Sequence, residues 1–294
     1  MAKQEIEIVY HDDDVLVINK PSGVSVTKDR SGKHQLADML GEQLGEQIRS
    51  KLRLVHRLDK ATSGVMIFAK NIEAQTRFTG YFKSRHVKKT YLALVTGVVP
   101  GRQGRIDVPL AQSPKKPSLM CITRNKGKES VTNWKLLADF GAVALLAVSP
   151  ITGRTHQIRV HLPHVGLPLA IDPLYGSSRS LFLSDFKLDY RLARDHTEKP
   201  LIERLTLHAY QLSFRAEHPF LLSQSTGCLS AESTAAESRN LIDNSSNRPD
   251  CFIAGLDKKF TATIKMLTKH NPKGADAFVN TDDFSRLINT RKLY

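Results

Sequence analysis

Asp59 is the only carboxylate between Gln47 and Ile72, and the same window carries Arg49, Lys51, Arg53, Arg57, Lys60 and Lys70. A nearby opposite charge lowers an Asp pKa by roughly 1–3 units, so this crowd of cations is expected to keep Asp59 ionised. An ionised, positioned carboxylate serves as a nucleophile or a general base, and not as a general acid. Spacing alone leaves a second reading open. Asp59 equally caps a turn or pairs with Arg57 to hold a loop, because Asp is common in turns.

Two further stretches carry polar chemistry. Gly153 to Leu162 holds Arg154, His156, Gln157 and Arg159 at the start of a predicted helix, where anions are attracted and Arg adds a bidentate donor. An ordinary charged helix face is the alternative. Lys88-Lys89-Thr90-Tyr91 sets a tyrosine beside two lysines. Such a ring stacks on a base, accepts a proton or simply fills the core. Metal is not expected. Of His156, His161 and His164 only the last two share a helix face, and no Cys or acid sits among them to complete a zinc site. Asp12-Asp13-Asp14 reads as a solvated turn.

The elements that must position these residues are mostly strands. Glu5 to Lys20 reads as strand, with the apolar run Val15 to Ile18 ending in the turn signal Asn19-Lys20-Pro21-Ser22-Gly23. Leu52–Leu54 and Val65–Ala69 read as two strands joined through the Asp59–Gly64 loop. Asn71 is placed as an N-cap for a helix from Ile72 to about Ser84, with Ala74, Phe78, Tyr81 and Phe82 at helical spacing. Thr90–Gly97 alternates as a strand, with Tyr91, Ala93 and Val95 on one face. Thr132, Trp134 and Leu136 alternate in another, and Ala142–Val148, apolar throughout, is expected at the centre of the sheet. A short helix is expected over Thr155–Leu162 and a strand over Leu205–Phe214, while Phe260, Ile264 and Leu267 fit a helix or a strand. The fold class is therefore α+β: a mixed, largely antiparallel central sheet flanked by helices and loops. No phosphate-cradling glycine motif lies between a strand and a helix, so no nucleotide cofactor is expected.

The chain has 294 residues, is 40% hydrophobic and carries a net charge of +14. Such a balance fits either a polyanionic partner or a merely basic surface. Cys121, Cys228 and Cys251 stand far apart and odd in number, which fits free thiols and a cytoplasmic location. No secretory signal or membrane-crossing apolar run is seen, so no membrane association is expected. Residues 222–250 hold seven serines and no aromatic residue, and are expected to form a mobile insert. The expected domain plan is a catalytic unit over 1–221, the insert over 222–250, a return to the catalytic unit over 251–267, and a C-terminal extension over 268–294.

Together and in this order, the motifs resemble those of the RluA-type family of RNA pseudouridine synthases. The resemblance rests on His56-Arg57-Leu58-Asp59 with Thr62-Ser63-Gly64, on Lys89 to Gly97, and on Gly153 to Leu162. Asn19 to Gly23, Leu205 to Ala209 and His218-Pro219 agree with it, and it spans about residues 5 to 267. It implies a pseudouridine synthase fold that isomerises uridine to pseudouridine in RNA without metal, nucleotide or redox cofactor. Asp59 would be the catalytic carboxylate, as nucleophile or as base toward the ribose, and Arg154 its ion-pair partner. Tyr91 would stack on the base and take its carbon-5 proton. Arg57 would fill the gap left by the flipped uridine, and Leu207 would form an apolar wall. His56, Thr62, His156, Gln157 and Arg159 complete the expected substrate contacts. Ile171 and Pro163 depart from the family's usual residues, at positions expected to stay clear of the catalytic set. With no N-terminal accessory domain expected, a monomer would grip a tRNA arm or rRNA stem-loop through its own basic surface. A non-catalytic RNA-binding or remodelling protein on the same fold is the main rival, and a glycosidic-bond hydrolase a weaker one.

Overall fold

A computed structural model describes residues 5–27, 35–187, 190–191, 197–214, 250–271 and 274–280. The elements, in chain order, are β1 (Glu7–His11), β2 (Val15–Lys20), α1 (Leu36–Leu44), α2 (Glu46–Lys51), β3 (Arg53–Leu54), β4 (Ser63–Ala69), α3 (Ile72–Lys83) and β5 (Val87–Thr96). They continue with β6 (Gln103–Asp107), β7 (Leu110–Gln112), β8 (Met120–Ile122), β9 (Val131–Asp139), β10 (Val143–Pro150), α4 (Gln157–His164), β11 (Leu207–Phe214), β12 (Cys251–Ile253) and α5 (Lys258–His270).

One large sheet runs β1-β2-β4-β11-β5-β10-β9-β6, with β12 added to β11 and β3 to β4. Every pairing is antiparallel except β4 with β11. The α+β reading of the sequence is thus correct, and the apolar β10 sits inside the sheet between β5 and β9. β4 is buried at all seven positions, which explains its unbroken run of apolar and small residues. β5 is covered on both faces. Ala93 and Val95 enter one core cluster with Val148 and Leu207, whereas Leu92 and Leu94 enter another with Phe260 and Ile264.

The N-cap of α3 forms as expected: Asn71 Oδ1 accepts from the Ala74 N–H at 2.7 Å. Ala74, Phe78 and Tyr81 then face the core at the helical period. The ambiguous segment near Phe260 is helical, because Asp257 caps α5 through the Phe260 N–H and Phe260, Ile264 and Leu267 share the buried face. The short helices α1 and α2 and the β7–β8 hairpin were not anticipated. α1 carries a short apolar period, Leu36, Met39, Leu40 and Leu44, that the sequence reading passed over, whereas α2 buries no residue at all. The bulk of the serine-rich insert and residues 281–294 of the expected C-terminal extension lie outside the described residues. β12, just after the insert, pairs with β11, and α5 packs under the same sheet. Cys121 and Cys251 form no disulfide with one another.

The single parallel junction creates the seat for the loop that carries Asp59. There Ser63 and Gly64 pair with His208 and Ala209. Gly64 has φ +117°, and a Cβ on it would lie 2.0 Å from the Ala209 carbonyl oxygen. Only glycine fits both the backbone conformation and the space.

Candidate active site

Asp59 sits on an irregular loop between β3 and β4 that is pinned from three sides. The Thr62 N–H donates to the Asp59 carbonyl at 3.1 Å and closes a turn. The Gly23 N–H donates to the Lys60 carbonyl at 2.8 Å, and the Ser22 hydroxyl to the Ala61 carbonyl at 2.6 Å. The third clamp is Lys20, whose side chain is fully buried. Its ammonium donates to the carbonyls of Pro21, Val24 and Lys60 at 2.8–3.1 Å. Burial pulls the Lys20 pKa down to about 7 against the opposing pull of Asp59. The turn Asn19–Gly23, read in the sequence as a turn signal at the end of a strand, is thus the brace of the loop.

His56 faces the same loop but is spoken for. Its ring stacks on Phe82 of α3 at 4.5 Å, and its Nε2 accepts from the Ile67 N–H at 3.1 Å. Burial, aided by the Lys89 charge, pushes its pKa to about 3, so it is a neutral positioning group. Thr62 is buried beneath the loop and lines the cavity. Arg57 is exposed at the rim.

The cavity above Asp59 measures about 580 Å3, within the usual range for ligand sites. Among the described residues, Asp59 is the only acid lining it, against six cations: Arg57, Lys83, Arg85, Lys89, Arg154 and Arg159. Tyr91 from β5 and Leu207 from β11 form its wall. Burial, and then the Asp59 charge, hold the Tyr91 phenol well above its ordinary pKa, so it presents a neutral ring. The Lys89 ammonium donates to the Thr152 carbonyl at 2.9 Å, and burial, with the Arg85 charge, brings its pKa to about 8.

The ion pair expected between Arg154 and Asp59 does not form. Arg154 lines the cavity, but its Nε donates to the Glu129 carbonyl at 3.1 Å. It precedes the helix, whereas Arg159 lies within α4, and Arg159 takes the role: its Nη1 is 3.4 Å from Asp59 Oδ2. The other edge of the buried Arg159 guanidinium forks onto Asp172, Nε to Oδ2 at 2.8 Å and Nη2 to Oδ1 at 2.7 Å. Burial opposes the Arg159 charge, and the hydrogen bonds and charge of Asp172 outweigh it, so its pKa lies above the ordinary value. Asp172 is itself fixed by the N–H groups of Leu174 and Tyr175. The segment containing Pro163 and Ile171, expected to stay clear of the site, therefore supplies its anchor. Pro163 falls in the last turn of α4, which closes through Gly166 and Leu167. Asp172 and Tyr175 were missed as site residues, although their Asp-x-x-Tyr-Gly turn was the available signal.

Gln157 is buried and fully engaged inside the protein. Its Oε1 accepts from the Thr152 hydroxyl and the Arg154 N–H, and its Nε2 donates to Val131 and Thr132. It shapes the turn that carries Arg154 and has no polar atom left for a substrate. His156 caps α4 from the left-handed region, with φ 53°. Its Nε2 lies 3.8 Å from Asp59 Oδ2 and its Nδ1 2.7 Å from the Tyr175 hydroxyl. Burial lowers its pKa, against the pull of Asp59. Among the described residues no three His, Cys, Asp or Glu side chains converge as a metal site.

The site can therefore hold an anionic chain with one carboxylate fixed at its floor and a neutral aromatic ring beside it. Residues 14–164 match the family model described as RNA pseudouridylate synthase. A ribosomal large subunit pseudouridine synthase D of Neisseria meningitidis is 37% identical over 217 residues, covering 73% of this chain and 55% of the relative. An uncharacterized RNA pseudouridine synthase of Zymomonas mobilis is 37% identical over 62% of this chain and 83% of its own length. The structure of human RNA pseudouridylate synthase domain containing 1 is 28% identical, with a TM-score of 0.56 over 73% of this chain and 80% of the human one. The chain spans little more than half the length of the Neisseria relative. A match to the family model across half the chain, on the segment that carries the Asp59 loop, Tyr91 and Arg159, places the chain in the RNA pseudouridylate synthase family.

Proposed function

We propose that the protein isomerises uridine to pseudouridine in a structured RNA, with Asp59 as the catalytic carboxylate. The observation that supports this most is the pairing of Asp59 with Arg159 at the floor of a cavity whose other charged residues are all cations. The cations meet phosphates, and a flipped nucleotide enters at a cost of a few kcal/mol for unstacking. Arg57, exposed at the rim, fills the vacated place in the stack. The ring of Tyr91 lies against the base, with Leu207 behind it.

The reaction breaks the bond from the base nitrogen N1 to the sugar carbon C1′ and makes one from C5 to C1′. The C5 proton leaves and N1 gains one, so the product is an isomer. Asp59 either attacks C1′ or removes a ribose proton to give a glycal. In both routes Arg159 holds the carboxylate in place. Tyr91, neutral in the free protein, is a stacking surface first; it takes the C5 proton after the base has turned, once its own phenol proton has passed to N1, so that the two transfers balance.

The names of the relatives favour ribosomal RNA of the large subunit over transfer RNA. Three cysteines, odd in number and far apart in the sequence, fit a cytoplasmic protein, and no helix among the described residues is long and apolar enough to cross a membrane. We take the active form to be a monomer, since the site is assembled from one chain.

The test uses ribosomal and transfer RNA carrying tritium at uridine C5. The wild-type protein is expected to release label from a ribosomal fragment, and Asp59→Asn to release none while still binding. No release from either RNA would defeat the proposal. Mass spectrometry separates isomerisation, which leaves the mass unchanged, from hydrolysis, which frees uracil.

A further inference from the structure

Asp59 meets Arg159 at 3.4 Å and His156 at 3.8 Å, both on the same oxygen, Oδ2, and neither contact falls on Oδ1. At 3.8 Å the His156 contact is longer than a hydrogen bond, and it acts electrostatically: an N–H on Nε2 attracts the carboxylate where a bare lone pair would repel it.

What His156 presents depends on its other nitrogen. Nδ1 lies 2.7 Å from the Tyr175 hydroxyl oxygen, and the N–H of Met120, on β8, donates to that same oxygen at 2.8 Å. The phenol oxygen has one proton to give. With Met120 occupying one of its acceptor positions, that proton has His156 Nδ1 as its described acceptor. The ring is then neutral, with its hydrogen on Nε2, toward Asp59.

We propose that Tyr175 is a positioning residue of the reaction: by donating to Nδ1 of His156 it fixes the tautomer that presents an Nε2–H, and not a lone pair, to Asp59 Oδ2. The arrangement is braced on all sides. The two rings meet edge to face at 5.4 Å, and the Arg159 guanidinium lies over the Tyr175 ring at 5.3 Å. His156 is held in a left-handed conformation that non-glycine residues seldom adopt. Burial keeps the Tyr175 phenol protonated and discourages a second proton on His156. Because Met120 belongs to the β7–β8 hairpin, outside the main sheet, the hairpin sets the tautomer from a distance.

The inference rests on Asp59 being the catalytic carboxylate, but its test does not need turnover. Nitrogen-15 spectra of the histidine rings in the full-length protein near neutral pH report the tautomer, with His156→Gln identifying the signal. The expected wild-type ring is neutral with its proton on Nε2, and in Tyr175→Phe, which keeps the ring packing, it becomes a mixture. Single-turnover isomerisation by Tyr175→Phe should fall by about tenfold while RNA affinity stays within about twofold. A wild-type ring protonated on Nδ1, or on both nitrogens, overturns the proposal. So does a Tyr175→Phe variant that keeps the wild-type rate, or that slows with its tautomer unchanged. If that variant does not fold, the wild-type spectrum decides alone. A wild-type protein that releases no tritium refutes the isomerase reading and leaves the tautomer measurement standing.

Discussion

Arg159 reaches Asp59 across 3.4 Å while its opposite edge is locked onto Asp172 by two shorter bonds. The guanidinium is thus a rigid link between a buried anchor and a carboxylate at the cavity floor. Asp172→Asn leaves Arg159 with one weaker acceptor in a buried place. Breaking a buried pair from one side costs roughly 3–5 kcal/mol, and the retained amide oxygen puts this variant at the lower end. Urea denaturation is expected to show that loss, and tritium release from the folded fraction to fall more than tenfold. A variant with wild-type stability and rate would show that Asp172 is no anchor.

Arg154 and Arg159 lie five residues apart and are expected to fail differently. Arg159→Ala removes the partner of Asp59, so single-turnover isomerisation at saturating RNA should drop by at least about a hundredfold. Arg154→Ala removes a cavity cation whose described hydrogen bond goes to the Glu129 carbonyl. It should weaken RNA binding and lower the slope of log Kd against log salt by about one, with a single-turnover rate within about threefold of wild type. If Arg154→Ala instead abolishes turnover with affinity intact, the two roles are reversed.

What the sequence disclosed and what it withheld follow from range. The apolar run of β10, the cap at Asn71 and the alternation along β5 are local patterns, and each was legible. So was the grouping of Asp59, Tyr91 and the Gly153–Leu162 stretch, because the motifs carry it. The choice between Arg154 and Arg159 was not, since it depends on where α4 begins relative to the loop of Asp59, a hundred residues earlier. Lys20 was hidden for a related reason: it serves the site by clamping the Lys60 carbonyl, forty residues on, and has no periodic signature. Asp172 lay in a turn motif that was legible and was passed over. His56 and Gln157 were expected as substrate contacts because they lie in the motifs that carry the resemblance, yet their described hydrogen bonds turn inward.

Gly64 tests the seat of the loop. Its φ of +117° is open to glycine, and an added Cβ would meet the Ala209 carbonyl oxygen at 2.0 Å, with the Ala209 nitrogen at 2.6 Å. All these are backbone atoms in a paired sheet, so nothing flexible yields. Gly64→Ala should cost about 3 kcal/mol or more, or abolish folding, whereas Gly101→Ala, with open space around it, should stay within about 0.5 kcal/mol. Comparable melting temperatures for the two variants would contradict the close approach.

His208 gives the fold a dependence on pH beneath the same loop. It is buried, its Nε2 lies 3.0 Å from the Ala254 carbonyl, and its Nδ1 lies 2.9 Å from the Ser63 hydroxyl. The carbonyl only accepts, so Nε2 carries the hydrogen and Ser63 donates to Nδ1. Burial lowers its pKa to about 4 from an ordinary 6.5. Below 6.5 the unfolded chain takes up a proton that the folded one refuses. The contribution of His208 is therefore complete above about pH 6.5 and declines as the pH falls toward 4, by up to about 3 kcal/mol. His56, lowered to about 3, acts in the same direction. Equilibrium denaturation of the wild type between pH 8 and pH 4.5 should show this decline beyond that of the carboxylates. His208→Gln, less stable at pH 8, should lose less on acidification, and the two curves should converge. Parallel curves would mean that the buried imidazole takes up its proton without resistance and that the stability of the loop seat does not depend on it.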